Sequence, residues 1–130
     1  MQTNTLDTNV LVRFLVGDVP SQYSQAKDWL AEAEKGQREI WIPGLVIAES
    51  IYVLGRAYKK SFTEIAEALQ TLISQKWLKV QEREILLLAL KVYGQGTHFV
   101  DSYLLVTRQI LGLGILTFDK KLSRQSKSEL

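Results

Sequence analysis

The chain has 130 residues, 46% hydrophobic and 23% charged, with 16 basic against 14 acidic side chains and a net charge of +2. Those values describe one soluble globular domain, large enough to bury roughly two-thirds of its unfolded surface without covalent staples. The absence of cysteine excludes disulfides and thiolate metal sites, and so small a net charge neither demonstrates nor excludes a nucleic-acid partner.

In chain order, the opening MQTNTLDTNV lacks the basic and apolar regions of a signal peptide. Residues 3–7 read as a short strand ending on Asp7, and NVLVRFLVG reads as a buried helix or apolar turn. The stretch from Asp18 to Ser21 contains Pro20 and is a helix start, with Asp18 or Ser21 as N-cap. Ala26, Trp29, Leu30 and Ala33 then recur at helical spacing. Residues 39–42 alternate as a strand up to Pro43, and 44–58 form a helix that is apolar on most faces.

Ser61 and Glu64 form a capping box that opens a helix over 62–74. A third strand at 77–80 and a helix at 83–93 follow. The YGQG turn leads into the helical stretch HFVDSYLLVTRQIL, which Gly112 and Gly114 end. Residues 115–118 read as a fourth strand, and Asp119 begins a basic terminal helix. No apolar run is long enough to span a bilayer, the longest being ILLLAL at 85–90. The expectation is a single-domain cytoplasmic protein with no membrane role.

Short strands separated by helices predict a parallel sheet covered on both faces. In such sheets chemistry gathers beyond the carboxyl ends of the strands, where Asp7 and Asp119 both stand. Asp7 has an ordinary alternative as an Asx-turn or N-cap. Glu49 lies among Val46, Ile47, Ala48, Ile51, Tyr52 and Val53, a helix that offers it little polar face. A buried carboxylate is costly unless paired or bound to a cation. Asp101 interrupts the apolar run HFVDSYLLV, with a helix cap as its alternative. A cap explains Asp119 almost as well as a site does.

Converging carboxylates raise one another's pKa unless a cation intervenes. Oxygen ligands, no cysteine and a single histidine point to Mg²⁺ or Mn²⁺. Such ions activate water for attack on a phosphodiester. Thr8, Asn9 and Thr117 are candidates to orient the carboxylates. Arg13, Lys120, Lys121 and Arg124 are candidates for phosphate contacts. His98 reads as a loop residue, and Trp29, Trp41 and Trp77 as core packing.

LDTNVLVRFLVGD, LVIAESIYVL, FVDSYLLV and LTFDKKL occur in that order over nearly the whole chain. In this the sequence resembles the PIN-domain family, particularly the VapC-type toxins of bacterial toxin–antitoxin pairs. The resemblance implies a three-layer α/β/α fold with a short central parallel sheet and an Mg²⁺- or Mn²⁺-dependent endoribonuclease. Asp7, Glu49, Asp101 and Asp119 would be its metal-site acids, with Asp7 and Asp101 the foremost direct ligands. It also implies an RNA substrate, a homodimer, and inhibition by an antitoxin protein, with the helix pair at 44–74 as its clamp. Two alternatives stand beside it. One is a non-catalytic RNA- or protein-binding domain of the same fold. The other is a haloacid-dehalogenase-like phosphatase starting from DTN, against which Asn9 stands where a second aspartate would be required.

Overall fold

The computed structural model describes residues 1–128. The chain runs β1 (Gln2–Thr5), α1 (Thr8–Val16), α2 (Pro20–Glu34), β2 (Arg38–Trp41), α3 (Gly44–Arg56), α4 (Phe62–Ile73), α5 (Arg83–Gly94), α6 (Phe99–Leu111) and α7 (Lys120–Ser126). β1 and β2 pair in parallel, Gln2 opposite Arg38 through Thr5 opposite Trp41. Their connection passes through α1 and α2, as a parallel pair requires. The pairing continues past β1, where the Leu6 N–H donates to the Trp41 carbonyl at 2.9 Å. Leu6 itself is buried, so the chain leaves the sheet anchored and presents Asp7 immediately afterwards.

One core joins β2 and α1 to α6 among the described residues. Leu11 and Val12 of α1, Ile40 and Ile42 at β2, Ile47, Ile51 and Leu54 of α3, and Leu69 and Ile73 of α4 lie in it, together with residues of α5 and α6. α4 is held at its start by the expected capping box: Glu64 N–H donates to Ser61 Oγ, and Ser61 N–H to Glu64 Oε1, both at 3.1 Å. Phe62 stacks on Tyr93 with ring centroids 4.5 Å apart, fastening α4 to α5. Trp29 and Trp77 pack against the core. Trp41 is half-buried, and its indole N–H donates to Glu39 at 2.7 Å.

Three expectations from the sequence are corrected. The third strand contracts to one bridge between Trp41 and Lys79. Arg83 is the reason, because its guanidinium donates to the carbonyls of Ile73, at 2.8 Å, and of Leu78, holding the segment as a turn. The fourth strand does not form. Residues 113–118 have no regular structure and make no backbone–backbone hydrogen bond among the described residues. Neither Asp18 nor Ser21 caps α2. Val19 occupies that position without a side-chain bond, and Asp18 turns instead toward Arg13 and Tyr58.

Candidate active site

Asp7 ends the β1 segment and caps α1, its Oδ1 accepting from Val10 N–H at 3.0 Å. The site reading and the capping reading are therefore compatible. The cap uses one oxygen, and the residue remains exposed. The next residue, Thr8, donates from its hydroxyl to Glu49 Oε1 on α3. One side chain thus sets the α3 carboxylate beside the residue that follows Asp7.

Glu49 is exposed, contrary to the expectation from its apolar surroundings. Ile47, Ser50, Ile51 and Leu54 take the buried side of α3. Leu45, Glu49, Tyr52 and Arg56 share the outward stripe, with Leu45 85% and Tyr52 63% exposed. Helical turn places Glu49 in solvent, and the large apolar residues that suggested burial are themselves exposed beside it. Desolvation therefore gives no reason for Glu49. Its bond from Thr8 gives one.

Asp101 lies in the first turn of α6 and is partly exposed. Its capping alternative fails, since His98 holds the N-cap position without a side-chain bond. His98 is exposed there and tilts against Phe62 at 6.2 Å between centroids. On α3, Ser50 Oγ is fully buried without a hydrogen-bond partner among the described residues. Ser102 Oγ donates to the carbonyls of Thr97 and His98 at 3.0 and 2.9 Å. Asp119 caps α7, its Oδ1 accepting from Leu122 N–H at 2.9 Å, while its own N–H donates to Thr117 Oγ1 at 3.0 Å. Thr117 thus orients the backbone of Asp119, and Thr8 bonds the carboxylate of Glu49.

The donors suit a hard divalent cation, being carboxylate oxygens with no sulfur and no imidazole among them. Their number in one place falls short. Among the described residues no three acidic or histidine side chains come together to hold a metal ion. Thr8 links Asp7's helix to Glu49, whereas Asp119 stands at the head of α7 after the segment that fails to enter the sheet.

Arg13 is committed elsewhere. It donates to Gln22 Oε1 at 2.8 Å and to Tyr58 Oη at 2.6 Å, and Tyr58 donates to Asp18 at 2.8 Å. Acceptance by Asp18 holds the Tyr58 phenol above its ordinary pKa. Lys120, Lys121 and Arg124 are exposed on α7. Sequence reading did not single out Gln22 and Gln25. With Asp7, Asn9, Arg13 and Trp29 they line a cavity of about 320 Å³ beside the first acid. Their signal is positional, three residues apart on α2 and off its buried Ala26–Leu30–Ala33 side.

The PIN domain family model matches residues 5–128. The chain belongs to the PIN-domain family. Membership agrees with the α/β architecture and removes the phosphatase alternative. The chain is also similar to a VapC ribonuclease of Aquifex aeolicus (strain VF5), 27% identical over 122 residues, which cover 92% of this chain and 89% of that protein. No solved structure matches the chain.

Proposed function

We propose that this PIN-domain protein is a divalent-metal-dependent endoribonuclease and the toxin of a toxin–antitoxin pair. The hydrogen bond from Thr8 to Glu49 carries the reading, because it sets two elements bearing candidate acids side by side at the carboxyl end of the sheet. The similarity to a protein named VapC ribonuclease supports RNA as the substrate. Asp7, Glu49, Asp101 and Asp119 would hold Mg²⁺ or Mn²⁺, with Asp7 and Asp101 the foremost ligands. When bound, the ion supplies charge for the phosphodiester and lowers the pKa of water. The chain's own part is to hold those carboxylates. Asp7 is fixed by its cap, Glu49 by Thr8, and Asp119 by Leu122 N–H and Thr117.

Lys120, Lys121 and Arg124 are exposed cations placed to meet phosphates. Asn9, on the cavity next to Asp7, offers an amide to the substrate. A cognate antitoxin and a homodimer complete the proposal. A cytoplasmic setting is consistent with a fold in which no helix among the described residues is long and apolar enough to cross a membrane.

A non-catalytic RNA- or protein-binding role is the second reading, favoured by the lack of any three-carboxylate cluster among the described residues. Purified protein separates the two. Cleavage of single-stranded RNA with Mn²⁺ or Mg²⁺ should be abolished by EDTA and reduced at least ~100-fold by Asp7→Asn or Asp101→Asn, a loss exceeding that usual for partners that only support a ligand. RNA binding without cleavage, unaffected by EDTA, would favour the second reading.

A further inference from the structure

Next to Asp7, α1 and α2 border a polar cavity of about 320 Å³ whose lining includes Asp7, Asn9, Arg13, Gln22, Gln25 and Trp29. That volume is near the lower end for small-ligand sites and suits one compact group. Three of the six side chains are primary amides. Asn9, Gln22 and Gln25 are exposed, so their amides are open to a ligand. Trp29 packs on the core and is only partly buried, which leaves part of its indole to the cavity.

Gln22 differs from the other two amides in being oriented. Arg13 Nε donates to Gln22 Oε1 at 2.8 Å. A guanidinium can only donate, so the amide oxygen faces Arg13 and the NH₂ group is the end left for a ligand. Arg13 is itself fixed. It donates to Tyr58 Oη at 2.6 Å, Tyr58 donates to Asp18 at 2.8 Å, and Arg13 lies 3.6 Å from the same carboxylate. The third position of a helix is where a glutamine can close a capping box. Gln22 stands there in α2, yet Val19 at the N-cap has no side-chain bond and Gln22 turns to Arg13 instead. The chain Asp18–Tyr58–Arg13–Gln22 therefore ends in a preset donor at the cavity.

The charges do not suit a phosphate. Arg13, the one cation lining the cavity among the described residues, is engaged by Asp18, Tyr58 and Gln22, and Asp7 adds a negative charge. A neutral planar group with polar edges fits, and RNA-binding proteins hold splayed bases by stacking on aromatic rings and bonding their edges. We infer that the cavity seats one nucleobase of the RNA beside the phosphodiester to be cut, and that Gln22 selects guanine or uracil. The inference rests on the ribonuclease reading above for the source of the base. Guanine and uracil present an outer carbonyl that accepts from the Gln22 NH₂ group, where adenine and cytosine present an amino group. Arg13 is then a positioning residue, because without it the Gln22 amide is free to turn over and accept from an amino group.

Nucleosides test this directly, since they carry a base without a phosphate and report on the cavity whether or not RNA is cleaved. Guanosine and uridine titrated into wild-type protein should shift the NMR side-chain signals of Gln22, Gln25 and Trp29. They should bind on the order of 3–10-fold more tightly than adenosine and cytidine, the reach of one neutral hydrogen bond. Gln22→Glu keeps an acceptor for Arg13 but offers the base acceptors only, and should invert the preference. Arg13→Met should level the preference while nucleosides still bind, and Arg13→Lys should restore part of it. Should Arg13→Met unfold, Tyr58→Phe loosens the same chain from its other end and should also lower the preference. No shift with any nucleoside overturns the base seat. Equal binding of all four, or a preference unchanged in Gln22→Glu, overturns selection by Gln22. Equal weakening of all four in the Arg13 and Tyr58 variants overturns the positioning role. Cleavage of a mixed-sequence RNA should favour sites next to G or U, and Gln22→Glu should lose that bias. If wild-type protein cleaves no RNA, the ribonuclease reading fails, and the nucleoside titration still decides what the cavity holds.

Discussion

Thr8 is the residue on which the geometry of the proposed site turns. Its hydroxyl reaches from the first position of α1 to Glu49 on α3, and neither carboxylate is held by burial. Thr8→Val keeps the shape and removes the donor, so Glu49 loses its fixed rotamer while the fold stays. A decrease in cleavage of on the order of 10–100-fold is expected, the usual cost of losing a partner that orients a metal ligand. The Mn²⁺ concentration for half-maximal activity should rise with it, and Thr8→Ser should restore both. An unchanged Mn²⁺ dependence in Thr8→Val would show that the bond is only structural. The sequence indicated Thr8 by its place after Asp7, but its partner lies 41 residues away, and no local pattern reports a pairing at that distance. Glu49 shows the opposite limit. Apolar neighbours suggested burial, yet hydrophobicity says nothing of which stripe of α3 faces solvent when Leu45 and Tyr52 are on the exposed one.

Elements stabilised by contacts within a few residues were legible in the sequence, and those that depend on distant partners were not. α4 is the clearest of the first kind, since Ser61 and Glu64 specify its start across three residues. Ser61→Ala should cost ~1 kcal/mol, measured by denaturant unfolding. The Glu64 carboxylate is held below its ordinary value of 4.5, first by the backbone N–H of Ser61 and next by the serine side chain. A depressed folded pKa contributes stability above the unfolded value, and that contribution is lost as pH falls through the folded one. The melting difference between wild type and Glu64→Gln should therefore be full at neutral pH and shrink below pH ~4.5. A constant difference across that range would remove the carboxylate from the account. The third and fourth strands belong to the second kind. Both have strand composition, but Arg83 captures the carbonyls of one region and α7, docked on α6, restrains the other. A strand needs an edge, and sequence pattern does not say which edge is within reach.

At the scale of the whole molecule, the acids are distributed over separately anchored elements. Asp7 and Glu49 belong to the α1–α3 side, Asp101 to α6, and Asp119 to α7. A divalent cation that binds them together must stabilise the assembled arrangement over the separated one, and this is measurable without substrate. Binding to the folded state alone stabilises it by about 2.7 kcal/mol when free metal exceeds Kd a hundredfold, or on the order of 10 °C in melting temperature for a chain of this size. Wild-type protein should show that rise with Mn²⁺ and lose it on EDTA. Asp7→Asn and Asp101→Asn should melt near the wild-type apo temperature and gain little from the metal. Because Glu49 is exposed, Glu49→Gln should also leave the metal-free melting temperature close to wild type. A large fall there would mean that Glu49 is a structural partner of Thr8 before it is a ligand.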